Sequence, residues 1–217
     1  MDTPQFFHQF IDKVSNSLKL PLPGEIAHQD MEACFAGYLK LRPNAQTRRS
    51  AVLMLLYPSE NKIYFPLILR SSYDGFHSGE VGFPGGRYEA RDGDLINTAL
   101  RETKEELGIK TDDITVLGVL TEIFIGPSNF LVLPVIGYAS GKPNFFPNER
   151  EVRHVFEISL DYIANPDNLG LSRIEIPGDQ VLTPHYQIEE HKIWGATAKI
   201  IRELLLLLRD EPMTSNS

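Results

Sequence analysis

Residues 85–109 read GGRYEARDGDLINTALRETKEELGI, and their carboxylates carry the spacing of a site. On a helix of 3.6 residues per turn, Glu102 and Glu106 lie one turn apart with Glu105 beside both. The three then share a sector of about 100°, next to an apolar stripe of Ile96, Leu100, Thr103 and Leu107. Like charges so placed destabilise an isolated helix by about 0.2–0.5 kcal/mol per pair, and something must offset the repulsion. Arg101 can bond Glu105 at i,i+4. A hard divalent cation can take the other two, because Mg²⁺ prefers oxygen ligands and keeps waters for substrate phosphates. Alone, R-E-x-x-E-E is more often a solvated acidic helix face. Gly85-Gly86 shift that balance, because they let a ligand approach the backbone closely just before the helix, with Phe83-Pro84 stiffening the entry. A phosphate-accepting loop feeding a carboxylate-bearing helix suits diphosphate chemistry.

The elements around this segment must hold it in place. Asp94 is a candidate N-cap and Gly108 a candidate C′ glycine for the helix itself. Upstream, AVLMLLYP and KIYFPLILR are apolar, β-branched runs separated by Ser59-Glu60-Asn61, which predicts a hairpin of two buried strands. A Gly-rich loop follows from Gly75 to Gly93. Downstream, ITVLGVL, EIFIG and NFLVLPVIGYA predict three more strands, with VRHVFEISL and LSRIEIP as weaker candidates. An apolar-striped helix is expected from Ala196 to Arg209. At the other end, Phe6, Phe7, Phe10, Ile11, Val14 and Leu18 recur at helical spacing, with Thr3 as cap and Pro4 in the first turn. Interleaved strands and helices place the chain in the α/β or α+β class, with helices packed on a mixed sheet.

Composition narrows the partners. The 217 residues are 42% hydrophobic, enough for one sizeable domain with an appendage. Against 21 Lys and Arg stand 29 Asp and Glu, a net charge of −8; so acidic a surface argues against gripping a long nucleic acid. Cys34 is the only cysteine, so there is no intrachain disulfide or Cys-rich zinc site, and it reads as inert. The start, MDTPQFFHQF, lacks the basic region of a secretory signal. The apolar run Leu204–Leu208 is far shorter than the ~18 residues of a membrane span and reads as core or interface, which leaves a homodimer open. The expectation is a cytoplasmic protein without a membrane partner.

The segment resembles the Nudix box, G-x5-E-x7-R-E-U-x-E-E-x-G-U, where U is a bulky apolar residue. Arg101, Glu102, Glu105, Glu106, Gly108 and Ile109 match its second half, with Thr103 at one U. Gly86 stands one residue too far upstream, and Gly93 falls where the isolated Glu belongs. These departures are similar to those of the coenzyme A diphosphatase subgroup, whose loop reads G-G-x-x-D-x-x-D; Glu89 and Asp92 stand at the two Asp positions. The subgroup's preceding signature, L-L-x-x-R-S-x3-R-x3-G-x3-F-P-G-G, is matched at Arg70, Ser71, Gly79, Phe83, Pro84, Gly85 and Gly86. Gly75 replaces its second Arg, and Glu80 its usual Gln. N-E-R-E-V from Asn148 and I-W-G-A-T-A from Ile193 also resemble this subgroup.

The resemblance implies a Nudix-type α/β/α sandwich over residues 46–209; outside it, the residue pattern itself predicts an N-terminal helical extension at 1–45 and a flexible polar tail at 210–217. The resemblance also implies metal-dependent hydrolysis of a nucleoside diphosphate derivative, most specifically coenzyme A or a CoA-like substrate, with Mg²⁺ as cofactor and Mn²⁺ as the alternative. Another nucleotide pyrophosphatase specificity, such as ADP-ribose or a nucleotide sugar, and a catalytically weak ligand-binding module are the other readings. Glu102 and Glu106 are the expected principal metal ligands, Glu105 a third ligand or helper, and Arg101 the residue that orients them. Arg70, Ser71, His77, Gly85 and Gly86 are the expected substrate-binding positions; His77 could equally be a plain loop histidine. Asp92, Glu105 and Glu151 are the candidate bases, with Glu151 narrowly first and Glu149 its rival. Trp194 could stack on a base but reads more simply as a packing anchor. Gly75 removes a guanidinium suited to clamping phosphate. This predicts weak discrimination between coenzyme A and its 3′-dephosphorylated form in kcat/KM, unless another cation, first Lys62, Arg87 or Arg91, takes over.

Overall fold

A computed structural model describes residues 3–32, 41–71, 79–176 and 179–209. Cys34, Gly75, His77 and the tail at 210–217 lie outside the described residues. Two strands, β1 (Arg48–Ser59) and β2 (Lys62–Arg70), form the predicted hairpin. Glu60 and Asn61 turn it at φ 50° and 58°, the positive pair that a type I′ turn requires. Short strands β3 (Val81–Gly82) and β4 (Gly85–Arg87) follow. With β5 (Thr115–Val119), β6 (Ile123–Ile125), β7 (Phe130–Tyr138) and β8 (Val152–Ser159) they make an eight-stranded sheet among the described residues. The sheet is mixed, because β1 runs parallel to β7 from Arg48↔Phe130 to Leu56↔Tyr138 and antiparallel to β2 and β4.

Five helices are described: α1 (Gln5–Ser17), α2 (Gly24–Asp30), α3 (Leu95–Leu107), α4 (Leu160–Ala164) and α5 (Gly195–Leu207). Strand β1 alternates between two cores, as a strand buried on both faces must. Leu53, Leu55 and Tyr57 join Ala99 and Leu107 of α3 in one cluster, whereas Met54 and Leu56 join Phe7 and Val14 of α1 and Leu204 of α5 in the other. The result is the expected sandwich of helices on a mixed sheet. Leu204 is buried in that second core, and Leu206 is buried as well. No helix among the described residues is long and apolar enough to cross a membrane.

One local expectation is corrected, and one strand was not foreseen. Helix α1 starts at Gln5 with no side-chain cap from Thr3; instead the Pro4 carbonyl accepts from Phe7 N–H at 3.0 Å and His8 N–H at 3.2 Å. A second sheet, β9 (Leu169–Ile176), β10 (Asp179–Ile188) and β11 (His191–Ile193), contains a strand that the sequence conceals. Pro184 argues against a strand there. It is tolerated because β11 pairs only Tyr186–Ile188, so at Pro184 the strand faces β9 alone.

A fully buried carboxylate joins the outer helices. Glu203 of α5 accepts from the Thr121 hydroxyl at 2.7 Å and Thr121 N–H at 3.1 Å, and lies 3.1 Å from His28 Nε2 of α2. Arg202–Asp30 and Lys199–Glu32 pairs reinforce the contact. Because Phe7 is completely buried in the same core cluster as Leu204 of α5, Phe7→Ala is expected to cost about 3–5 kcal/mol. The measurement is the urea midpoint; an unchanged midpoint would show that α1 is a dispensable appendage.

Candidate active site

The two glycines sit where strand and helix come closest. Gly85 and Gly86 of β4 pair with Val52 and Ala51 of β1, and Leu53 N–H donates to Pro84 O at 2.9 Å. A Cβ on Gly85, whose φ is +153°, would come within 2.4 Å of the Ala51 carbonyl oxygen. One on Gly86 would come within 2.4 Å of Glu102 Oε1. Side chains at these positions would push α3 and its carboxylates away from the strand. That is a packing reason for the pair, beside the ligand approach expected from sequence.

Glu106 lies at the centre. It is 2% exposed, and its Oε1 accepts from Arg70 Nη1 at 3.0 Å while Oε2 accepts from Gly85 N–H at 2.7 Å. Arg70 Nη2 also donates to the Gly85 carbonyl at 2.8 Å. The side chain of Arg70, read from sequence as substrate-binding, is therefore committed to holding Glu106 and the glycine turn. Burial pushes the Glu106 carboxyl up to about 7. Arg70 and the Gly85 N–H oppose that, while the charges of Glu102 and Glu151 add to it.

Arg101 makes the predicted i,i+4 bond to Glu105, from Nη1 to Oε2 at 3.0 Å. Its main commitment was not legible from that spacing: Nε and Nη2 grip Asp92 at 2.7 and 3.0 Å, and Nη1 also reaches Glu102 Oε1 at 2.8 Å. Asp92 further accepts from the Thr98 hydroxyl at 2.8 Å and Glu89 N–H at 3.0 Å. The Arg101 bonds hold the Asp92 carboxyl well below the usual carboxylate range. A buried carboxylate with every oxygen occupied is a poor proton acceptor, so Asp92 acts here as the anchor of Arg101. The signal was present in the sequence, since Asp92 stands at the second Asp of the loop pattern.

Glu151 approaches from another segment. Asn148 N–H donates to the Glu106 carbonyl at 2.9 Å and Phe146 N–H to that of Leu107 at 2.8 Å, closing the end of α3 with loop backbone. The Asn148 carbonyl accepts from Glu151 N–H, and the Glu151 carbonyl accepts from Ser71 N–H, each at 2.9 Å. Glu151 is exposed, and its charge reaches Glu106. Lys62, by contrast, pairs with Ser59 at the far end of β1 from the Ser50↔Arg87 pair. At ~3.3 Å per residue that is about 30 Å away, too far to serve this site.

The NUDIX domain family matches residues 47–192. The chain belongs to the Nudix family. It is 37% identical to an uncharacterized Nudix hydrolase, NudL, of Pectobacterium atrosepticum, over 79% of this chain and 88% of that one. It is 35% identical to the mitochondrial coenzyme A diphosphatase NUDT8 of Mus musculus, over 86% and 91%, and 34% identical to that of Homo sapiens, over 87% and 80%. The protein is thus an enzyme of the Nudix hydrolase class, with α3 as its Nudix helix.

Nudix hydrolases generally use divalent metal ions, and the donor set here suits one. Glu102, Glu105 and Glu106 offer only carboxylate oxygens, the ligands that hard cations take. Among the described residues no three acidic or imidazole side chains converge as a finished cage. Glu102, however, is largely shielded from water, and its Oε2 accepts no hydrogen bond among the described residues. That oxygen lies directly over Gly86. Gly86→Ala is therefore expected to lower kcat/KM by about tenfold or more while the protein stays folded, since it displaces the Glu102 carboxylate. Gly141→Ala, whose Cβ would meet nothing within 4 Å, is the control. Equal activity of the two variants would remove the Gly86–Glu102 contact from the mechanism.

Proposed function

We propose that the protein hydrolyses the diphosphate bond of a nucleoside diphosphate derivative, with coenzyme A or a CoA-like molecule as substrate and Mg²⁺, or secondarily Mn²⁺, as cofactor. One observation carries the reading. Arg70 belongs to the signature ahead of the loop and Glu106 to the Nudix helix, and the two meet at 3.0 Å over Gly85. The motif that sets the subgroup and the motif that sets the chemistry thus form one site. The mouse and human relatives named coenzyme A diphosphatases support the substrate.

In this mechanism Glu102 and Glu106 hold the metal, with Glu105 as third ligand. When bound, the ion neutralises charge on the phosphate oxygens and lowers the pKa of an attacking water. Arg101, fixed by Asp92, keeps Glu102 and Glu105 aimed at one place. The backbone of Gly85-Gly86 lets the diphosphate approach without a side chain in the way. Arg70 fixes the direction of Glu106, and Ser71 joins the Glu151 segment to the site through its N–H. A proton leaves the attacking water for a carboxylate. Glu151 is exposed and comes from outside the Nudix helix, whereas Glu105 is engaged by Arg101 at 3.0 Å and Arg91 at 3.4 Å. Glu151 is therefore ranked first as base.

Glu106→Gln keeps size and helix propensity but removes a charged ligand oxygen, and kcat is expected to fall by about 10²-fold or more. The test is steady-state turnover with product identification over coenzyme A, ADP-ribose, NADH, nucleotide sugars and diadenosine polyphosphates. Preferred cleavage of ADP-ribose or a nucleotide sugar would replace the substrate and keep the mechanism; near-normal activity of Glu106→Gln would remove the metal site as drawn. Glu151→Gln is expected to lose most of kcat together with the acidic limb of the pH–rate profile. If it keeps both while Glu105→Gln loses them, the base is Glu105.

A further inference from the structure

A cavity of about 380 Å³ opens where β3, β9 and β11 meet the start of α5, a size within the ~300–1,000 Å³ of small-molecule sites. One wall is Glu80–Val81, and the others include Arg173, Glu190, Lys192 and Trp194. The wall leads straight into the active site. Four residues take the chain from Val81 to Gly85, a reach of at most about 14 Å. Arg70 N–H donates to the Glu80 carbonyl at 3.1 Å, and the side chain of the same Arg70 holds Glu106. Whatever occupies this cavity lies within a nucleotide's length of the diphosphate position.

Its lining has a definite chemistry. Trp194 is half-buried and stands outside both apolar clusters of the described residues. Its indole borders the cavity. Arg173 and Lys192 are exposed cations that enter no ion pair among the described residues. An aromatic face beside two uncommitted cations suits a base carrying a phosphate, through stacking and charge-assisted hydrogen bonds. Glu190 on the rim offers an acceptor to an exocyclic amino group, and the acidic lining keeps the cavity from being a general anion trap.

We infer that this cavity receives the adenosine end of the substrate, with the purine against Trp194 and the ribose 3′-phosphate held by Arg173 and Lys192. The inference rests on the CoA-like substrate proposed above. It assigns the phosphate clamp to Arg173 and Lys192, which replace Arg87 and Arg91 as the cations to mutate first.

Trp194 is the only tryptophan in the chain, so indole fluorescence reports on this cavity alone. The full-length protein is titrated with adenosine 3′,5′-bisphosphate, which carries the adenosine end and no diphosphate bond. A saturable fluorescence change is expected, with Kd at least about tenfold weaker for AMP and for the Arg173→Gln/Lys192→Gln double variant, whose fold is checked by circular dichroism. Phosphopantetheine is expected to give no saturable change. The wild-type preference in kcat/KM for coenzyme A over its 3′-dephosphorylated form is expected to exceed about tenfold and to collapse toward unity in the double variant. No saturable change, equal affinity in the double variant, or a change with phosphopantetheine alone overturns the inference. Turnover of coenzyme A without nucleotide-dependent fluorescence rejects the cavity and keeps the proposed function. Nucleotide binding without turnover of coenzyme A rejects the function and keeps the cavity.

Discussion

A carboxylate taken out of water must be met by donors, and the organisation of this enzyme follows from how Glu106 is met. Removing one partner of a buried charge costs several kcal/mol, about 3–5 where this has been measured. Arg70 and the Gly85 N–H are therefore as constrained as Glu106 itself. Arg70 ends β2, Gly85 begins β4 and Glu106 lies in the last turn of α3, so one buried charge registers three elements. The hairpin, the glycine turn and the helix can shift relative to one another only by breaking that triangle.

A second charge assembly, Asp92–Arg101, does for direction what Glu106 does for position. Asp92 receives two guanidinium bonds, a hydroxyl and a backbone N–H. With Arg101 so held, its remaining nitrogen reaches both Glu102 and Glu105. The like-charged carboxylates of the Nudix helix are thus partly neutralised by a cation whose own orientation is set from outside the helix.

Much of this was legible in the sequence. Near-continuous apolar runs marked β1, β2 and β7, because strands buried on both faces have little freedom in composition. Asp94 and Gly108 marked the ends of α3, and both act as caps, Asp94 bonding Asn97 N–H and Gly108 adopting φ +70°. The i,i+4 rule foresaw Arg101–Glu105. It could not foresee Arg101–Asp92 or Arg70–Glu106, since those partners are brought together by the fold and share no local period. Strand β10 was hidden for a related reason: Pro184 is unfavourable in a strand until the open edge beside it is known. The two readings of Trp194 could not be separated from sequence, because a tryptophan before an apolar helix has the same local pattern whether it faces a core or a cavity.

The Glu203 junction has a consequence for how the molecule is made. It links α5 to His28 of α2 across 175 positions of sequence, so α2 cannot complete its packing until α5 has been synthesised. Meanwhile the cluster that buries Phe7, Ile11 and Val14 lacks Ile200, Ile201 and Leu204 of α5. At the ~5–20 residues per second of translation, that interval lasts roughly 10–40 s, far longer than a helix needs to form. A nascent chain that carries an apolar helical segment made well ahead of part of its core is a natural client for a chaperone acting at the ribosome.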